Sequence, residues 1–165
     1  MQEVKLSKAS LEDIPTISLL ADLIWRQHYI SLIGESQVNY MLDLMYSKDS
    51  LQKQMLEKLH QFYLIQLNKE DIGFISVNEV SSGNWFLNKF YVDQNKAAKG
   101  IGTFVFNTLN KQLSPKKITL TVNKGNFKSI NFYFKLGFTI EKTEVFEIGN
   151  GYVMDDFVMV WNRIK

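Results

Sequence analysis

The chain has 165 residues, with 19 Lys and Arg against 17 Asp and Glu, a formal net charge of +2, 45% apolar and 13% aromatic residues, and no cysteine. This apolar content, with Phe and Tyr spread along the whole length and no Pro-, Gly- or Ser-rich stretch, excludes a disordered or low-complexity chain and predicts a single domain over 1–165. Near-balanced charge without a long basic run excludes an extended nucleic-acid surface, and the missing cysteines exclude disulfides, thiolate metal sites and a cysteine nucleophile.

The opening segment has no apolar stretch of signal-peptide length, and no window approaches the ~20 apolar residues of a membrane span, so a soluble cytoplasmic protein is expected. Glu3 to Lys8 alternates weakly and predicts a first strand. A helix start follows at Ser10 or Asp13, and Ile14, Ile17, Ala21, Ile24 and His28 then fall at helical spacing. A second helical region runs over 35–59 with a break near Ser47 to Ser50. The period then changes. Phe62 to Leu67, Ile72 to Val80 and Trp85 to Val92 are rich in aromatic and β-branched residues and are separated by turn residues, as successive antiparallel strands are.

After Val92 a polar loop leads to Gly100, and Ile101, Phe104, Val105, Thr108 and Leu109 form the apolar stripe of an amphipathic helix that Pro115 ends. Ile118, Leu120 and Val122 alternate as a strand. Strand, helix, strand makes a crossover that leaves its two strands parallel. A further helix over 126–136 stops at Gly137, and strands over 138–148 and 154–161 close the chain. The expected fold class is α/β: a mixed, mostly antiparallel sheet of about seven strands with four or so helices.

The segment Lys99-Gly100-Ile101-Gly102-Thr103 lies between a strand and a helix, where first-turn N–H groups form an anion site and glycines admit a phosphate close to the backbone. By itself such a G-x-G is a weak signal that reads first as a plain glycine-rich turn, and it lacks the third glycine of a dinucleotide fingerprint and the Lys-Ser/Thr of a P-loop. Lysines at 96, 99, 116, 117, 124, 128 and 135 would suit a small phosphate-bearing ligand.

One strand further on stands Asn126-Phe127-Lys128-Ser129-Ile130-Asn131-Phe132-Tyr133-Phe134-Lys135-Leu136-Gly137-Phe138. The pattern N-x-x-[A/S]-x-x-F-Y-x-K-x-G-F, about two dozen residues after a G-x-G that opens a helix, resembles the acetyl-CoA-binding core of the GNAT superfamily of N-acetyltransferases. The resemblance is strongest over 86–138 and covers essentially the whole chain. The region with Trp25, Tyr29, Ile33-Gly34, Gln37 and Tyr40-Met41-Leu42, with the Gly-rich turn and Asp near the end, is similar to small bacterial polyamine acetyltransferases.

The resemblance implies an acetyl-CoA-dependent enzyme that uses no metal and acetylates an amine directly. It also implies roles. Phe90, Tyr91 and Val92 would hold the pantetheine arm through their backbone and present an N–H to the thioester oxygen. Ala98, Lys99, Gly100, Ile101, Gly102 and Thr103 would cradle the pyrophosphate, Asn126 would bond the pantetheine side, and Tyr133 would protonate the departing thiolate. A phenol, ordinarily protonated up to about pH 10, can donate to a thiolate whose conjugate acid lies near 8.5. The alternative is that Tyr133 is an aromatic packed under the sheet.

Two features depart from the family pattern. Ala97 and Ala98 stand where Gln or Arg and Gly are usual, and Asn88 stands where some members carry a glutamate base. An alkyl amine is mostly protonated at neutral pH, so a base is still needed; Glu79, His28, Asp155 and Asp156 are candidates. Trp25, His28 and Tyr29 share one helix face and suit a cationic amine, with Asp156 as a carboxylate partner, or they close the core. His28 and His60 have no metal-ligand spacing. The acceptor stays open between a small amine or polyamine and a protein N-terminus. A non-catalytic acyl-CoA-binding module is the rival reading, and a homodimer is a common family outcome.

Overall fold

The computed structural model describes residues 3–164. Its seven strands hydrogen-bond in the order β1-β2-β3-β4-β5-β7-β6: β1 Val4–Lys8, β2 Gln61–Leu67, β3 Glu70–Ser81, β4 Asn84–Val92, β5 Lys117–Asn123, β6 Thr139–Gly149 and β7 Tyr152–Asn162. Helices α1 Ile14–His28, α2 Ile30–Ile33, α3 Glu35–Tyr46 and α4 Lys48–Leu56 fall between β1 and β2. Helix α5 (Ile101–Leu113) joins β4 to β5, and α6 (Phe127–Lys135) joins β5 to β6. No helix among the described residues is long and apolar enough to cross a membrane.

The chain divides into two compact units, Met1–Asn78 with Lys89–Leu113 and Glu79–Asn88 with Ser114–Lys165. In the first, β1 pairs antiparallel with β2, and β2 antiparallel with β3. Both expected helix starts are used. Ser10 closes a capping box with Asp13 over a short 3-10 turn, and Asp13 then precedes α1, where Pro15 occupies the first turn and needs no N–H acceptor. Ile14, Ile17, Leu20, Ala21, Ile24 and Trp25 form the buried stripe of α1. Ser47 breaks the second helical region by accepting the Ser50 N–H at the start of α4, and Gly34, at φ 83°, separates α2 from α3. These two breaks, with the single turn of α2, explain why six α-helices stand among the described residues where about four helices were expected. Phe62 to Ile65 and Ile72 to Val77 are buried on consecutive positions, as in strands covered on both faces. In α5 the buried residues are Ile101, Val105, Phe106 and Leu109; Phe104, expected in the stripe, is 49% exposed because the buried face is rotated toward Phe106.

In the second unit β4 and β5 pair in parallel, with Asn84, Trp85 and Phe86 against Lys117, Ile118 and Thr119, as the crossover requires. β5 pairs antiparallel with β7, and β7 with β6. The β3–β4 turn is held by Glu79, whose carboxylate accepts the Gly83 N–H at 2.7 Å, and the Gly83 carbonyl accepts the Lys116 N–H at 2.7 Å.

Candidate active site

In the first unit the chain beyond β4 is built around Asp93, which follows the strand and is buried. Its N–H donates to the Ile72 carbonyl at 2.7 Å, its carboxylate accepts the Asn95 N–H at 3.0 Å, and its carbonyl accepts from Lys96 and Ala97. Burying a carboxylate is costly unless it is hydrogen-bonded, so this residue locks the chain's exit from β4. Gly73 on β3 explains how closely that exit is packed: a Cβ there would lie 2.2 Å from the Tyr91 carbonyl oxygen and 2.9 Å from Val92 Cα. Phe90, Tyr91 and Val92 are all half-buried.

The loop then turns through Gly100 at φ 89°, a conformation only glycine adopts without strain, into α5. The Ile101 N–H donates to the Ala98 carbonyl at 3.3 Å and the Phe104 N–H to the Gly100 carbonyl at 3.0 Å. Between them, Gly102 and Thr103 supply the first-turn N–H groups for which α-helical geometry provides no intrahelical acceptor. Ala97 and Ala98 contribute backbone hydrogen bonds, so the departure from the family's side chains leaves the shape of the turn intact. Lys99 is exposed beside it.

Tyr91 also enters an aromatic cluster. Its ring lies 5.8 Å from Trp25, 6.3 Å from Tyr29 and 5.6 Å from Phe74, while Trp25 stacks on Tyr29 at 4.5 Å and meets Tyr46 edge-on at 5.7 Å. The structure therefore brings Trp25 and Tyr29 together with the strand that carries Phe90–Val92. Trp25 is 3% exposed and Tyr29 half-buried, so of the two it is Tyr29 that meets solvent. His28 follows on the same helix, half-buried.

In the second unit Asn126 caps α6, its side-chain oxygen accepting the Ser129 N–H at 3.2 Å. The helix ends in a Schellman motif: Phe138 N–H donates to the Tyr133 carbonyl and Gly137 N–H to the Phe134 carbonyl, each at 3.0 Å, with Gly137 at φ 95°. This motif carries a hydrophobic contact, and here it is Phe138 against Tyr133 at 5.4 Å. Gly137-Phe138 thus orients the tyrosine, which is buried.

Asp156 on β7 is 2% exposed and stands opposite Asn123 on β5 and Glu144 on β6. Burial pushes its carboxyl up to about 6, opposed by a hydrogen bond from Thr121 and joined by repulsion from Asp155. Asp155 is exposed and paired with Lys124. Glu79, another candidate base, is the exposed turn clamp already described. Among the described residues, no group of three or more His, Cys, Asp or Glu lies together as a metal ion would need.

Sequence reasoning missed Lys89 and its partner Gln54, both buried. The signal was present: in Trp85-Phe86-Leu87-Asn88-Lys89 the lysine falls on the buried phase of the strand.

The family profile for the acetyltransferase (GNAT) domain matches residues 32–154. The chain belongs to the GNAT acetyltransferase family. A spermidine N(1)-acetyltransferase from Thermoplasma acidophilum is 24% identical over 159 residues, spanning 92% of this GNAT chain and 96% of the relative. Among solved structures, a PaiA N-acetyltransferase from Thermoplasma acidophilum in complex with coenzyme A superposes with a TM-score of 0.80 at 23% identity, covering 98% of this chain and 99% of that one. A GCN5-related N-acetyltransferase from Rhodopseudomonas palustris gives 0.79 at 15% identity, covering 96% and 95%. The mixed seven-stranded sheet of this acetyltransferase is therefore the GNAT fold.

Proposed function

We propose that this GNAT enzyme moves the acetyl group of acetyl-CoA directly to a primary amine of a polyamine or a similar small cationic amine, in a ternary complex. The observation that carries the reading is the Gly100–Thr103 turn: it opens α5 directly after β4, with the first-turn N–H groups of Gly102 and Thr103 and the positive end of a helix dipole available to a phosphate. Relatives named for spermidine acetylation and for a coenzyme A complex support donor and acceptor class alike.

The neutral amine attacks the thioester carbonyl, a C–N bond forms, and the C–S bond breaks. A backbone N–H of Phe90–Val92 stabilises the oxyanion. Asn126, the cap of α6, hydrogen-bonds the pantetheine arm. Tyr133 protonates the leaving thiolate. Asp156, whose carboxyl is ionised above about pH 6, takes the proton of the incoming ammonium. Tyr29, backed by Trp25, offers a ring face to the remaining cationic charge. The same reading describes one catalytic domain over 1–165, acting in the cytoplasm and assembling as a homodimer.

A panel of amines assayed for coenzyme A release tests this. Spermidine and simple diamines should turn over faster than amino acids with neutral side chains. Inert polyamines beside a reactive peptide N-terminus would reassign the acceptor, and no release with any amine would remove the reaction.

A further inference from the structure

Lys89 immediately precedes the donor strand segment, yet its side chain is buried with 8% exposure and has an amide for a partner where a carboxylate would be usual. Its Nζ donates to Gln54 Oε1 at 2.7 Å and lies 5.5 Å from the Tyr46 ring and 5.6 Å from the Phe62 ring. Gln54 is itself fixed, donating through Nε2 to the Met45 carbonyl at 2.7 Å and to Ser50 Oγ at 3.0 Å. Tyr46 also hydrogen-bonds Tyr91, two residues along β4 from Lys89. Two adjacent positions on one strand face are thus pinned to α3 and α4, on either side of Phe90.

We propose that Lys89 is a positioning residue for the donor: uncharged, and held through Gln54 and Tyr46, it keeps Phe90–Val92 in the register that receives coenzyme A, and its protonation loosens that hold. The proposal rests on the reading that Phe90–Val92 hold the donor.

The groups facing Lys89 identify it as the one that changes charge. Burial pushes its own pKa down to about 7, with Lys58 adding to the effect. His60, before β2, is pushed down to about 4 by burial and then by Lys89 and Lys58, so it is neutral throughout the range pH 6 to 8. Burial pushes the Tyr46 phenol up, so it too stays neutral. A buried ammonium with an amide oxygen and two ring faces is poorly compensated compared with an ion pair, and gains by moving toward water.

The sign follows. Where the held register requires the neutral amine, about nine-tenths of the protein is competent at pH 8 and about one-tenth at pH 6, so apparent affinity for coenzyme A falls about tenfold over that interval. Calorimetric titration of coenzyme A into the full chain at both pH values reads this, with Lys89→Met run alongside to subtract the ligand's own protonation. Met keeps the length and removes the charge, and replacing a buried charge by an apolar group of similar volume is tolerated. Wild type should lose about tenfold more affinity than Lys89→Met. By reciprocal linkage, NMR titration of the Lys89 Cε signal in unmodified protein should show a midpoint that drops when coenzyme A is bound. Equal pH dependence in the two proteins, or a midpoint unmoved by the ligand, would overturn the proposal while leaving the donor site standing. No binding at pH 8 would overturn the donor site and this inference with it.

Discussion

Gly73→Ala is the substitution that most directly tests how β4, the strand proposed to hold the donor, is fixed. A Cβ at residue 73 would lie 2.2 Å from the Tyr91 carbonyl oxygen and 2.9 Å from Val92 Cα, and the atoms it meets are backbone, so no side chain can swing aside. Ordinary van der Waals contact with carbon begins near 3.5 Å, so the two strands must part locally by about 1 Å. A displacement of that size at reacting groups costs about 10²-fold, and overpacking of this kind costs about 1 to 3 kcal/mol of stability. Steady-state kinetics with saturating amine should therefore show kcat/KM for acetyl-CoA lowered about 10²-fold, in protein that thermal unfolding by circular dichroism shows to be folded at the assay temperature. Ser76→Ala is the control on the same strand, since Ser76 is fully buried with a hydroxyl that lacks a hydrogen-bond partner. It should leave both activity and stability near wild type. Wild-type kcat/KM in folded Gly73→Ala would show that the position of Tyr91–Val92 does not govern donor use.

Tyr133→Phe keeps the ring that packs on Phe138 and removes only the hydroxyl, so single-turnover rates at saturating amine should fall about 10²-fold with coenzyme A binding little changed; rates equal to wild type would make Tyr133 a packing residue. For Asp156 the folded pKa is raised, from 3.8 to about 6, so its contribution to stability is complete below about pH 4, is lost as pH rises through 6, and is level above. The kcat profile should rise with an acid limb near pH 6, and Asp156→Asn should remove that limb and flatten the fall in melting temperature between pH 4 and 6. A limb that survives the substitution assigns the base elsewhere.

The strands and the crossover were legible because period-two runs, the Pro115 stop and the helix-opening glycines each act locally. The pattern around Tyr133 was legible as a motif, and the structure supplies its physics: Asn126 and Ser129 form the cap, and Gly137 and Phe138 form the Schellman closure that packs on the tyrosine. The break at Ser47 was visible, but the rotation of α5 that exposes Phe104 was not, since periodicity alone could not choose between Phe104 and Phe106. Gly73, Asp93 and the Lys89–Gln54 pair were not read because each depends on a residue far along the chain. A glycine within an apolar strand shows its purpose only when Tyr91 is seen above it, and the buried phase of Lys89 has no partner to explain it until Gln54, 35 residues earlier, comes within reach.

The Asn150–Gly151 turn, with φ of 54° and 77°, joins β6 to β7 at the Gly149–Tyr152 pair in the left-handed geometry that matches strand twist. Such a hairpin closes from neighbours in sequence and forms fast, whereas the parallel pairing of Asn84–Phe86 with Lys117–Thr119 must first close a long loop. Synthesis runs in the opposite order, so the quick element is made after the slow pair. Until residues 152–162 have left the ribosome, β5 lacks its antiparallel neighbour β7 and presents a bare, β-branched edge. The segment that carries Asp156 is thus also the one that covers the β5 edge, and translation stalled before it should raise the insoluble fraction.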